Sequence, residues 1–122
     1  MTSAEEDIRR ALKEERLSVD QALLRVRDLL SSGEARGLLV FQATLIQLSE
    51  VPGLTLQEAQ RSLERAVALA PEHPEAYEEL GHFFDAVVPD PQKAEKMFRM
   101  ALQRGAGEAC QRALDELLAE RG

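Results

Sequence analysis

Apolar residues recur along nearly the whole chain at the spacing of one face of an α-helix. No segment shows the period-two alternation of a β-strand, and Gly, Pro or Ser separates the periodic stretches. The pattern therefore predicts an all-α protein. The predicted helices cover residues 3–15, 19–30, 34–49, 56–70, 74–86, 91–104 and 108–120.

The predicted helices differ in how much apolar surface they can bury. The third is apolar around most of its circumference, which favours a central position. The first has only a thin apolar stripe, and Glu5 with Arg9 and Glu6 with Arg10 have the i,i+4 spacing of surface ion pairs. We therefore expect the first helix to be the most weakly docked.

Three of the helix starts carry capping signals. Ser18 with Gln21 and Thr55 with Glu58 have the spacing of a capping box. Asp90 stands at the N-cap position before a proline, which suits the first turn of a helix because its missing N–H has no helical partner there. These signals predict where the second, fourth and sixth helices begin.

Two stretches of the chain repeat each other at a distance of 35 residues. In stacked helices, large side chains fill the gaps, whereas Gly and Ala let the backbones approach closely. Gly81 is therefore expected at a close contact between helices. The matched positions are Ala59, Leu63, Ala66 and Pro71 in the first copy and Ala94, Phe98, Ala101 and Ala106 in the second.

Between these copies, Tyr77-x2-Leu80-Gly81-x2-Phe84 resembles the W-x2-L-G-x2-Y opening of a tetratricopeptide repeat (TPR). The resemblance implies a TPR-like α-solenoid of three antiparallel helix pairs in one domain, residues 1–122. Its first pair would be degenerate, and a C-terminal helix would cap the stack. The pairs would cover residues 3–32, 34–70 and 74–105, and the capping helix residues 108–120.

This chain departs from the TPR pattern at several points. The family's frame is about 34 residues, and we expect the one additional residue in the turn at residues 87–90. Gln42 stands where the family has Leu. A seven-helix bundle without true repeats and a HEAT-like stack are the alternative folds.

Composition narrows the classes of partner. The chain has 122 residues and a net charge of −7, so a nucleic-acid backbone would be repelled, and a basic or mixed-charge protein or peptide is favoured. The alternative is that the acidity only keeps the protein soluble. The absence of a membrane-length apolar run, the acidic N-terminus and the single cysteine predict a cytoplasmic protein that does not bind membranes.

The residues that carry chemistry are few. With two His, one Cys and no phosphate loop or paired-cysteine motif, the sequence predicts no enzyme, no catalytic residue and no cofactor. Glu78, His82 and Asp85 have i, i+4, i+7 spacing, which can hold a metal ion, but an exposed acidic face gives the same pattern. We therefore predict no metal site. Cys110 lies on an apolar helix face, where a packed and unreactive thiol is expected.

The resemblance also implies where a partner would bind. In TPR proteins the first helix of each pair lines a concave groove that holds extended or helical segments of the partner. Positions that some members use to clamp a C-terminal carboxylate with Lys and Asn are here Val40, Thr44, Glu78 and His82, which disfavours that mode. Gly37 also occupies a groove position of this chain. The predicted partner-binding residues at the remaining groove positions are Val40, Thr44, Gln47, Glu75, Glu78, His82 and Asp85.

These observations favour a small adaptor or chaperone-like module that binds one protein partner in the groove. An inhibitor or immunity-type protein that masks a basic partner is a variant of the same hypothesis. A structural module that assembles with itself, for example as a homodimer, is the second class, because an incomplete first repeat leaves an edge that a second copy would cover.

Overall fold

The computed structural model describes residues 3–50 and 53–121 of the chain, and all regular structure in these ranges is helical. The prediction of an all-α protein is therefore confirmed. None of the helices in these ranges has the length and apolar character needed to cross a membrane. The elements are α1 (Ala4–Lys13), α2 (Val19–Ser32), α3 (Arg36–Leu48), α4 (Leu56–Leu69), α5 (Glu75–His82), a π-helical turn (Phe83–Val87), α6 (Pro91–Gln103) and α7 (Glu108–Arg121).

Side-chain caps fix three of the helix starts, as predicted. The N–H of Gln21 donates to Ser18 Oγ at 3.1 Å, and the N–H of Ser18 donates to Gln21 Oε1 at 2.9 Å. Thr55 and Glu58 form the same reciprocal pair, with both distances 3.3 Å. The Asp90 carboxylate accepts an N–H bond in the first turn of α6. Each pair occupies donors that a helix start otherwise leaves unpaired.

The predicted end of α1 and the predicted start of α3 are each wrong by two residues, for local reasons. The backbone of Glu15 is left-handed (φ 60°), so α1 ends at Lys13 instead of residue 15. The chain stays extended through Ala35, which makes no side-chain cap, so α3 begins at Arg36 instead of residue 34. Neither change alters which side chains of these helices are buried.

The helical run of α5 widens at its end into the π-helical turn. The N–H of Val88 donates to the carbonyl of Phe83, five residues earlier, at 2.9 Å. A π turn holds one residue more than an α turn. The turn runs directly into residues 87–90, where one additional residue is expected if the chain follows the TPR pattern.

The chain divides into two compact units, one that ends at Ser62 and one that begins at Leu63. The boundary falls within α4 and within the predicted second pair, residues 34–70. The core of the first unit consists of Ile8, Ala11, Ala22, Leu23, Val26, Leu39, Val40, Phe41, Ala43, Leu45, Ile46 and Ala59. The core of the second consists of Leu63, Ala66, Ala76, Tyr77, Leu80, Phe83, Phe84, Ala94, Phe98, Ala101, Cys110, Leu114 and Leu117.

In the first unit, α1 is held by more than its apolar stripe. The guanidinium of Arg9 lies 4.0 Å from the centre of the Phe41 ring, and Arg9 also pairs with Glu5 at 3.4 Å. The prediction that Arg10 pairs with Glu6 is wrong. The guanidinium of Arg10 instead lies 3.8 Å from the carboxylate of Asp7, three residues earlier. A cation–π contact therefore joins α1 to α3, in addition to the burial of Ile8.

Gln42, the departure from the TPR pattern, has a structural partner. Its Nε2 donates to Ser62 Oγ at 3.0 Å, and Ser62 Oγ donates to the carbonyl of Leu39 at 2.6 Å. Ser62 is buried, with 4% of its surface exposed. A polar contact thus joins α3 to α4 at this position, in which the Ser62 hydroxyl accepts from Gln42 and donates to the Leu39 carbonyl.

In the second unit, α5 and α6 meet at a single point of very close approach. A Cβ added to Gly81 would lie 2.5 Å from Cδ1 and Cε1 of the Phe98 ring. Real Cβ atoms essentially never come so close, so only glycine fits at this position. The expected close contact at Gly81 is confirmed, and its partner is the large residue of the second repeat copy.

Gly81→Ala should destabilise the protein by about 1–3 kcal/mol, although alanine is the better helix former, because the added methyl group overlaps the Phe98 ring. Chemical denaturation would measure the free energy of unfolding. Phe98→Leu in the Gly81→Ala background should recover part of the loss. Gly33→Ala is the matched control, because a Cβ added at Gly33 would have no neighbour within 4 Å. It should change stability by less than about 0.5 kcal/mol. A Gly81→Ala protein as stable as wild type would contradict this packing.

Ser62→Ala should cost about 1–3 kcal/mol, because it leaves the Gln42 amide without its partner in a partly buried site. Gln42→Leu combined with Ser62→Ala should be close to wild type, since both polar groups are then removed together. Thermal and urea melts of the two single variants and the double variant give the coupling energy. Additive losses in this cycle would show that the two side chains do not depend on each other.

Candidate functional site

The predicted partner-binding residues lie on two helices. Val40, Thr44 and Gln47 are on α3, in the first unit. The other four, Glu75, Glu78, His82 and Asp85, are on α5 and the π turn that follows it, in the second unit.

The three predicted residues of α3 offer few polar groups that are not already bonded within the helix. Val40 is only 7% exposed and belongs to the core of the first unit. Thr44 and Gln47 are exposed, but Thr44 Oγ1 donates to the carbonyl of Val40 at 3.3 Å and Gln47 Nε2 donates to the carbonyl of Ala43 at 3.1 Å. Both side chains are therefore bonded to their own helix. Of this set, Thr44 and Gln47 are accessible to a partner, and Val40 contributes mainly to packing.

The α5 residues are more accessible. Glu75 and Glu78 are half-buried, and His82 and Asp85 are exposed. The His82 ring stands edge-on to the Phe98 ring, with 5.1 Å between their centres, so the Gly81 contact also positions His82. The π turn begins at Phe83, between His82 and Asp85. Asp85 is therefore offset from the straight-helix alignment with Glu78 and His82 on which the metal-binding pattern depends.

No group of three His, Cys, Asp or Glu in residues 3–50 and 53–121 has the geometry to hold a metal ion. Three of the four positions on α5 and the π turn are carboxylates, so the surface that they form is acidic. Their chemistry is charge attraction and hydrogen-bond acceptance.

Charge is unevenly distributed along the chain. Residues 63–122 contain seven Lys and Arg against twelve Asp and Glu, a net charge of −5, whereas residues 1–62 have eight against ten, a net charge of −2. Between Arg65 and Lys93 there is no basic residue except two histidines, and this stretch holds six acidic residues. The acidic stretch, residues 66–92, contains all of α5 and the π turn.

Glu79 is a member of this surface that sequence reasoning missed. Burial raises the pKa of its carboxyl above the ordinary value of 4.5, His82 lowers it, and the charges of Glu75 and Glu78 raise it further. The signal in the sequence was the pair Glu78-Glu79 one turn after Glu75, which brings three carboxylates together on one helix. Its partial burial was not visible without the fold.

Glu78 has a second neighbour, the only cysteine. Burial, and after it the charge of Glu78 and its hydrogen bond to the thiol, together raise the pKa of Cys110 from 9.0 to about 11. Cys110 is completely buried, and its Sγ donates to the carbonyl of Phe98 at 3.7 Å. The prediction of a packed thiol is confirmed. Glu78 thus connects the acidic surface of α5 with the buried side of α7.

Glu79→Gln should stabilise the protein at neutral pH. Because the pKa of Glu79 is raised in the folded state, its contribution to stability is complete below pH 4.5 and is lost as the pH rises through the folded pKa. Glutamine cannot ionise, so the difference in unfolding free energy between variant and wild type should shrink as the pH falls toward 4. Urea melts from pH 4 to pH 7 would measure it, with Glu120→Gln on the exposed end of α7 as the control. A difference that does not change with pH would contradict this assignment.

No protein-family model matches this chain, and comparisons with curated proteins and with solved structures found no significant match. The function proposed for the chain consequently rests on its own residues.

Proposed function

We propose that this chain is a small, non-catalytic, TPR-like interaction module that binds a basic segment of a protein partner along α5. The observation that carries the proposal is the acidic stretch, residues 66–92, which places six carboxylates and no Lys or Arg on and around one helix. Such a surface attracts cationic side chains from a distance and accepts their hydrogen bonds on contact.

The helix pairing supports a TPR-like arrangement. Within the second unit, α5 packs on α6 and α6 packs on α7, and within the first unit α2 packs on α3. Consecutive antiparallel helices that pack on their neighbours are the building pattern of TPR proteins. The Gly81 contact occupies the small-residue position of the TPR-like motif, and its partner Phe98 is the large residue of the following helix. In this proposal α7 is the capping helix.

The acidic surface is also well supported from beneath. The buried face of the same helix contributes Ala76, Tyr77 and Leu80 to the core, and the Tyr77 hydroxyl donates to the carbonyl of Pro71 at 2.9 Å. The guanidinium of Arg104 donates to that same carbonyl at 2.6 Å and lies 4.4 Å from the centre of the Tyr77 ring. A helix held this firmly loses little conformational entropy on binding, which favours affinity.

The partner segment proposed for this surface carries Arg or Lys together with apolar residues. Glu75, Glu78 and Asp85 would attract the cations, whereas the carbon skeleton of His82, exposed at its outer edge, and the nearby exposed Val88 would take the apolar contact. Because these charges lie at the surface, their attraction weakens when salt is added. The proposed interaction is therefore fast, salt-sensitive and selective for sign of charge.

The experiment uses a panel of short peptides of equal length that are basic, acidic or neutral and share the same leucines at helical spacing. Fluorescence anisotropy should show binding of the basic peptides that weakens as salt is raised. Glu75→Lys combined with Asp85→Lys should weaken it by about tenfold or more, because attraction becomes repulsion. Glu78 is left unchanged, since it also contacts the buried Cys110 thiol.

The matched control is Glu116→Lys with Glu120→Lys, which makes the same charge change on the exposed face of α7. This variant should bind within about threefold of wild type, because its charges lie outside the acidic stretch. Circular dichroism would verify that both variants are folded. Equal binding of acidic and basic peptides, or equal losses in the two variants, would overturn the proposal.

A further inference from the structure

A second surface, in the first unit, has a different character. A cleft of about 470 Å³ opens beside α1 and α2. Its apolar wall is formed by Ile8, Ala11 and Leu29. The volume suffices for one or two apolar side chains of an incoming surface.

The rim of this cleft carries balanced charge. Two arginines, Arg16 and Arg25, and two aspartates, Asp7 and Asp28, line it. Asp7 pairs with Arg10 on its own helix, at 3.8 Å. No ion pair within residues 3–50 and 53–121 holds Arg25 or Asp28, although the two are three residues apart on α2. The rim as a whole is neutral on a chain of net charge −7.

An apolar side chain that nothing covers in the described chain directly precedes the cleft residue Arg25 on α2. Leu24 is 68% exposed, more than any other large apolar residue of residues 3–50 and 53–120. It precedes Asp28 by one helical turn, so the two side chains share a face of α2. The same surface therefore carries an apolar projection, an apolar recess and one unpaired charge of each sign.

We propose that this surface of α1 and α2 is a homodimer interface with two-fold symmetry. The Leu24 side chain of each copy enters the cleft of the other, and Arg25 of each copy pairs with Asp28 of the other. A two-fold interface brings one patch against itself, so it requires that patch to complement itself in shape and charge. The neutral rim meets this requirement.

Electrostatics favours a second copy over another occupant. Two molecules of charge −7 repel each other, and the repulsion is least where the facing patches are neutral. A strongly basic partner would be directed instead to the acidic stretch, whose own sequence contains six acidic residues and no Lys or Arg. A strongly acidic partner would meet Asp7 and Asp28. The patch is small, so we expect a dimer that dissociates on dilution.

Sedimentation velocity of the full chain over a dilution series tests this interface. Wild type should change from dimer to monomer on dilution. Leu24→Glu should raise the dissociation constant by about tenfold or more, because it replaces the central apolar contact with a charge in each copy. Leu48→Glu, at a leucine that is 59% exposed on α3, is the matched control and should dimerise as wild type does.

A charge swap tests the proposed symmetry independently of Leu24. Arg25→Asp alone should weaken the dimer, since it places two carboxylates opposite each other at both ends of the contact. The double variant R25D/D28R restores opposite charges across the two-fold axis and should return the dissociation constant to within about threefold of wild type. Circular dichroism verifies folding of each variant.

Three results would overturn the inference. One is a wild type that stays monomeric at every concentration up to its solubility limit. Another is a dimer that Leu24→Glu leaves intact. The third is a dimer in which R25D/D28R is no better than Arg25→Asp alone, because reciprocal pairing would then be absent.

Discussion

The contact of Gly81 with the Phe98 ring sets the spacing on which the second unit depends. It allows α5 and α6 to approach to a distance that a single methyl group would prevent. The same ring takes the edge of His82, and the Phe98 carbonyl accepts the Cys110 thiol of α7. Three helices are therefore positioned through one phenylalanine. Because interiors are packed as densely as crystals, the position of one large ring fixes several neighbours at once.

Much of the fold could be predicted from local signals. A capping box such as that of Ser18 acts over three residues, and helical periodicity acts over one face of one helix, so both are readable without knowledge of distant residues. The place of Gly81 at a close contact followed from the size pattern of the repeat. These are features in which the sequence determines structure over short distances or by a regular spacing.

What could not be predicted depends on contacts between segments far apart in sequence. Gln42 bonds with Ser62, 20 residues away, and the pattern gave no reason to pair two polar residues there. The guanidinium of Arg9 contacts the Phe41 ring and so joins α1 to α3. The i,i+4 spacing predicted only ion pairs within α1. The π turn after α5 was also not predicted, because it depends on backbone hydrogen bonds that the side-chain periodicity does not record. The burial of Val40 and of Glu79 also depends on contacts between distant segments, so it could be seen only in the fold.

The charges of the two units suit different kinds of contact. Around α5, carboxylates of one sign produce a field that acts beyond contact distance and favours unlike partners. At the cleft beside α1 and α2, two arginines and two aspartates balance, so the field nearly cancels and shape matters more. If both proposed contacts form, the one depends mainly on the sign of the partner's charge and the other mainly on its shape.

The buried thiol gives this protein a built-in reporter of its own motions. Cys110 is the only cysteine, it is fully buried, and its pKa of about 11 keeps it protonated at neutral pH. An alkylating reagent reacts with the thiolate. Because Cys110 is buried and protonated, α7 must first separate from Phe98 before the reagent can modify it. The rate of Cys110 labelling therefore reports how often α7 opens, and no substitution is needed to measure it. Any ligand that holds α5, α6 and α7 together would slow the labelling of Cys110, whatever surface it occupies.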